Sequence, residues 1–217
     1  MMRMERRKEI ATLKTPYIEF DIVAILLATF SICLFAGGLL SQDQTYVNYS
    51  MFYLMFTIAG ISLASLIGIN VDRTLDRREL MMVLEYGIIG SMLIVIVQTA
   101  IFRTGMTSNI ATLQIGAIIG GACAEELFFR GGLYNIQTSV YGEKFMFWTL
   151  ISNNIVFTAF HFAKMKVLFN SINWIYLSAI FVSGIIITMA GVLSKKLSAC
   201  MMTHMIFNIL ATMMGGE

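Results

Sequence analysis

Seven stretches of mostly apolar residues, each close to the length of a membrane span, recur along this chain over 20–40, 50–71, 81–102, 110–134, 145–163, 168–193 and 197–214. A helix rises ~1.5 Å per residue, so ~20 such residues cross a hydrocarbon core ~30 Å thick. The pattern predicts an all-α fold: a polytopic transmembrane helix bundle of about seven spans, sitting multi-pass in the cell membrane. Composition agrees, since 58% of residues are hydrophobic and only 13% are charged. A typical soluble domain has about 25% charged residues; this chain has too few polar groups to cover a water-facing surface. One proline in 217 residues suits long helices, because proline breaks the backbone ladder. The net charge of +2 argues against nucleic-acid binding through a basic surface. Cys33, Cys123 and Cys200 stand far apart in apolar sequence. They read as small buried hydrophobes rather than a disulfide framework.

The basic N-terminal residues Arg3, Arg6, Arg7, Lys8 and Lys14 precede an apolar run with no small-residue cleavage site. The run exceeds the ~7–15 apolar residues of a signal peptide, so the first span is expected to remain uncleaved. With that terminus cytoplasmic, Arg73, Arg77, Arg78, Lys144, Lys195 and Lys196 fall on the same side, and Arg103, Lys164 and Lys166 fall outside. This is the positive-inside bias, and seven crossings leave the C-terminus outside. The expected organisation is a basic cytoplasmic N-terminus over 1–19, transmembrane helices over 20–109 and a core over 110–217. Gly116-x-x-x-Gly120 offers a flat face for close helix packing.

The ionisable residues inside the spans carry the chemical argument. Gly120–Gly132 contains Glu125, Glu126 and Arg130 deep in apolar sequence. Each charge at a bilayer centre costs roughly 2.5–3.5 kcal/mol when unpaired. Glu126 and Arg130 are i,i+4 on one helix face and can pair. Glu125 then needs another partner or a proton, because adjacent carboxylates in low dielectric resist carrying two charges. Such a group suits general acid–base work. The chain's two histidines, His161 and His204, also fall in spans, with Phe157 one turn before the first and Asn208 one turn after the second. Taken singly, each has a structural reading: a helix–helix hydrogen bond, an ion-pair clip, a carboxamide that glues two helices. Taken together, they are cheapest around one wet pocket.

In order and approximate spacing, Glu125-Glu126-x-x-x-Arg130, Phe157-x-x-x-His161 and His204-x-x-x-Asn208 resemble the three motifs of the CAAX-protease and bacteriocin-processing (Abi) family. The resemblance covers roughly 115–212 and makes 110–217 an intramembrane protease core. It implies a glutamate-dependent intramembrane endopeptidase. Glu125 and His161 would activate a water, His204 and Asn208 would form the oxyanion hole, and Glu126, Arg130 and Phe157 would support them. It implies no cofactor or metal. It also implies a membrane-associated peptide or protein substrate, prenylated C-terminal peptides included, in contact with lipid.

Other chemistries and roles also draw on polar groups in these spans. Zinc could use Glu125, Glu126, His161 and His204, but no His-Glu-x-x-His pair is present and adjacent glutamates are poorly directed for joint ligation. A thiol mechanism through Cys123 fits poorly among small packing residues. A non-catalytic scaffold or regulator of partner membrane proteins, or a transporter, would also carry polar groups in its spans. Counted along straight spans, Glu125 lies ~22 Å from the outer end of its helix and His161 ~24 Å from the inner end of its own. Meeting at one depth therefore requires shifted boundaries, with 103–115 or 164–172 interfacial.

Overall fold

In a computed structural model the described residues are 17–42, 44–66, 77–102, 112–169 and 172–213. Among them the regular elements are helices: α1 (Ile22–Gly38), α2 (Gln44–Leu66), α3 (Arg77–Phe102), α4 (Thr112–Glu126), a π-helical segment (Leu127–Tyr134), α5 (Asn135–Tyr141), a 3₁₀ turn (Glu143–Phe145), α6 (Met146–Phe169), α7 (Trp174–Ser194) and α8 (Leu197–Met213). The basic stretch up to Lys14, Arg73, Arg103 and most of 103–115 lie outside the described residues. α4 packs against α1, α2 and α8, α8 also against α3 and α7, and the π-helical segment against α2. Helices from early and late in the chain therefore interleave in one bundle.

Beside its apolar core clusters the bundle buries charged groups and turns large apolar side chains outward. Glu126 and Arg130 are fully buried, whereas Leu26, Met55, Met92 and Ile96 are each about 60% exposed or more. Contiguous apolar surface of this kind marks contact with lipid or another apolar partner. Tyr46–Leu66 and Trp174–Ser194 are long and apolar enough to cross a membrane. Ile22–Gly38, Leu80–Ile94 and Leu197–Met213 are apolar but shorter. The expected seven spans thus reduce, on length and hydropathy of the described helices, to two. Buried charges and amides lower the hydropathy of α4 and α6, and the expected span ends at 71 and 110 fall outside the described residues. Cys123 and Cys200 are buried as expected, but Cys33 is exposed on the outward apolar face of α1.

The depth problem is resolved by where the fourth apolar stretch ends. Helix continues past 134 through α5 to Tyr141, and the chain turns at Gly142, in the left-handed half of backbone space at φ 71°. Glu125 precedes Gly142 by about as many residues as His161 follows it, roughly 26 Å of helix on either side. The two therefore meet across a helical hairpin. α6 also runs to Phe169, so Lys164 and Lys166 belong to a helix and not to an outer loop.

Caps join distant parts of the chain. Asp21 is fully buried, and its Oδ1 accepts from the Ala24 amide at 3.0 Å, capping α1. Its Oδ2 accepts from the Ser198 amide at 3.1 Å, in the first turn of α8. One carboxylate thus serves two helix N-termini, each with unpaired N–H groups and a partial positive charge. Beside it, Glu19 pairs with the 195–197 turn through Glu19 N–H to the Lys195 carbonyl (2.8 Å) and Leu197 N–H to the Glu19 carbonyl (2.9 Å).

Gly116 and Gly120 face Leu34 and Phe35 of α1, the close packing their spacing suggests. A tighter approach occurs at Gly60 of α2. A Cβ there would stand 2.7 Å from the backbone carbon of Leu127 and the backbone nitrogen of Phe128. Backbone cannot step aside as a side chain can. Gly60→Ala is expected to cost about 1–3 kcal/mol through overpacking, read as a lower thermal unfolding midpoint in detergent. An unchanged midpoint would mean that α2 does not press on the π-helical segment.

Candidate active site

Glu125 and Glu126 close α4 where the helix widens into the π-helical segment. A π-helical turn inserts a residue and re-aims side chains, a device frequent at functional sites. The wide turn leaves backbone carbonyls to be satisfied from outside. Asn153 of α6 donates its amide to the Phe129 carbonyl at 2.9 Å, and Asn135 donates to the Gly131 carbonyl at 3.0 Å.

Arg130 is fully buried, and its guanidinium is held from several sides. Nη1 donates to Glu126 Oε1 at 3.0 Å, the i,i+4 pair expected from the sequence. Nε donates to the Thr188 hydroxyl at 3.2 Å. Nη2 donates to Asn154 Oδ1 and to the Gly184 carbonyl, both at 3.1 Å. The guanidinium carbon lies 4.3 Å from the centre of the Phe157 ring, a cation–π contact. The same ring lies 4.5 Å from that of His161 and 5.9 Å from that of His204. Phe157 therefore borders the guanidinium on one side and both imidazoles on the other.

Around Glu125 the two histidines converge. His161 Nε2 is 3.6 Å and His204 Nε2 is 3.8 Å from Glu125 Oε2. His161 Nδ1 lies 3.0 Å from the Phe157 carbonyl. A carbonyl only accepts, so Nδ1 carries the proton, and a neutral ring presents the Nε2 lone pair to Glu125. His204 Nδ1 lies 2.7 Å from Glu126 Oε1, which fixes that ring through the carboxylate already paired with Arg130. The other oxygen of Glu125, Oε1, accepts from the Tyr53 hydroxyl at 2.9 Å, and Lys164 Nζ lies 3.7 Å away. Glu125 is 3% exposed, and its Oε2 has no hydrogen-bond partner among the described residues.

The structure brings together Glu125, Glu126, Arg130, Phe157, His161 and His204. Asn208 lies one turn beyond His204 on α8, half-buried, and its carboxamide forms no hydrogen bond to the cluster among the described residues. Glu125 Oε2 and the two Nε2 atoms have the donor chemistry of a metal shell, yet among the described residues no group of three His, Cys, Asp or Glu could hold a metal ion. Sequence reasoning missed Tyr53, Lys164, Asn154 and Thr188. Two of them left a signal: Lys164 is i,i+3 from His161, and Asn153-Asn154 is a polar pair in an apolar helix.

No curated protein and no solved structure matches the chain. One protein-family model does, that of type II CAAX prenyl endopeptidases, Rce1-like, over residues 107–210. The matched part is similar to that family and contains Glu125, Glu126, Arg130, Phe157, His161, Lys164, His204 and Asn208, while Tyr53 stands outside it.

Proposed function

We propose that this chain is a multi-pass intramembrane endopeptidase of the cell membrane, hydrolysing peptide bonds of membrane-associated peptides or proteins with a Glu/His-activated water. The observation that carries the reading is the asymmetry of Glu125: Oε1 is anchored, while Oε2 is buried, without a hydrogen-bond partner among the described residues, and faced by two imidazole nitrogens. Two acceptors 3.6 Å apart, Glu125 Oε2 and His161 Nε2, suit one water donating a hydrogen to each. That water keeps its lone pairs for a substrate carbonyl carbon. As its oxygen bonds to that carbon, one proton passes to Glu125. Breaking the C–N bond then returns the proton to the leaving amine.

His204 is a donor for the developing oxyanion when its ring carries both protons, Nδ1–H then donating to Glu126 Oε1 at 2.7 Å and Nε2–H facing the substrate. Asn208, on the same face of α8, supplies a second N–H toward the substrate. Arg130 holds Glu126, and the Phe157 ring covers the guanidinium. The family match over 107–210 supports this assignment of roles, and the outward apolar surface supports the membrane setting. The substrate the reading favours is a peptide delivered from the bilayer, prenylated C-termini included.

The deciding experiment incubates purified protein in detergent or vesicles with candidate membrane peptides, with cleavage read by mass spectrometry. Wild type is expected to cut and Glu125→Gln is expected not to. No metal enters the proposed steps, so EDTA is expected to leave the rate within about twofold. Loss of activity in EDTA with recovery on added zinc would replace the water-activation scheme by a metal one.

A further inference from the structure

We propose that Tyr53 and Lys164 are a positioning pair that locks one oxygen of Glu125 and so presents the other to the attacking water; this rests on the peptidase reading above. The argument begins with proton direction. The Lys164 ammonium has three donors and no acceptor, and its Nζ lies 2.9 Å from the Tyr53 hydroxyl oxygen. That oxygen must therefore accept, which leaves its single proton for Glu125 Oε1 at 2.9 Å. The chain runs one way, from Lys164 to Tyr53 to Glu125.

Tyr53 is rigidly held. It is 2% exposed, its ring stacks on Phe35 at 5.4 Å between centroids, and it meets Phe52 edge-on at 5.2 Å. Lys164 and His161 are i,i+3 on α6, so one face of that helix addresses both oxygens of one carboxylate: Lys164 at Oε1 (3.7 Å) and His161 at Oε2 (3.6 Å). The charge count of the acidic doublet agrees. Glu126 has Arg130 as its cation at 3.0 Å, and Glu125 has Lys164 as its own. A carboxylate free to rotate would exchange its two oxygens. One fixed by a hydrogen bond and an ammonium keeps the same oxygen on the water.

The test uses the full chain and the peptide assay above. Tyr53→Phe removes one oxygen and little volume. Turnover is expected to fall about 10²-fold, the scale of a misplaced reacting group, with KM within about twofold and the thermal midpoint nearly unchanged. Lys164→Met is expected to behave alike, and Lys164→Arg to recover part of the loss. The double variant is expected to lose no more than either single one, because the chain is broken once. Infrared spectroscopy provides a readout independent of cleavage. The carboxylate band that vanishes in Glu125→Gln is expected to shift in Tyr53→Phe. Wild-type turnover in Tyr53→Phe, an unshifted band, or losses that multiply in the double variant each overturn the pair. If wild type cleaves no peptide but the band shifts, the peptidase reading fails while the Tyr53–Lys164 anchor on Glu125 stands.

Discussion

Glu125→Gln is expected to give a folded protein that cuts peptides at least about 10³-fold more slowly than wild type, within the range a general base contributes. The substitution preserves size, and the amide oxygen still accepts from the Tyr53 hydroxyl at the Oε1 position. It removes the negative charge opposite Lys164 and the site that receives the water's proton. His161→Ala removes the other acceptor of the same water and is expected to fall into the same range. Rates are read with a fixed peptide by mass spectrometry, and monodispersity is read on the same samples by gel filtration. Cleavage retained by monodisperse Glu125→Gln would take that carboxylate out of the mechanism and return the chain to the class of scaffolds and regulators.

The largest stability effect is expected at Arg130. Arg130→Met leaves Glu126 buried with only the His204 ring beside it and strips partners from Asn154, Thr188 and the Gly184 carbonyl. Breaking a buried ion pair from one side costs about 3–5 kcal/mol. For a chain of this size that lowers the thermal midpoint by on the order of 10 °C. Adding Glu126→Gln removes the stranded charge, so the double variant is expected to recover much of the loss. Asn154 Oδ1 remains short of the donor that Arg130 supplied, so recovery stays incomplete. A midpoint unmoved by Arg130→Met would mean that Glu126 finds its compensation elsewhere.

What could be read without coordinates follows the range of each interaction. The Glu126–Arg130 pair is four residues apart on one helix, and helical geometry alone brings it together; it is found at 3.0 Å. The convergence of Glu125 with both histidines could be inferred from the cost of isolated polar groups in apolar helices. Tyr53 could not. It sits among several tyrosines in an ordinary apolar helix, and only tertiary packing sets it on Glu125. Lys164 was hidden differently: next to the end of an apolar run it looks like a solvated loop charge. A lysine stem can lie along apolar surface while its head reaches a partner. The π-helical segment has no periodicity signature of its own beyond Gly131-Gly132. The error in matching the depths of Glu125 and His161 came from ending a helix at 134, where hydropathy drops but hydrogen bonding does not.

The double cap by Asp21 has a consequence for synthesis at the ribosome. The residue belongs to an early-made part of the chain, and one of the two amides it satisfies belongs to α8, translated more than 170 residues later. The helix that bears His204 receives this anchor only when the segment around Asp21 is still available to meet it. A nascent chain therefore makes α1 to α7 before the carboxylate doublet of Glu125 and Glu126 can gain its second imidazole, that of His204.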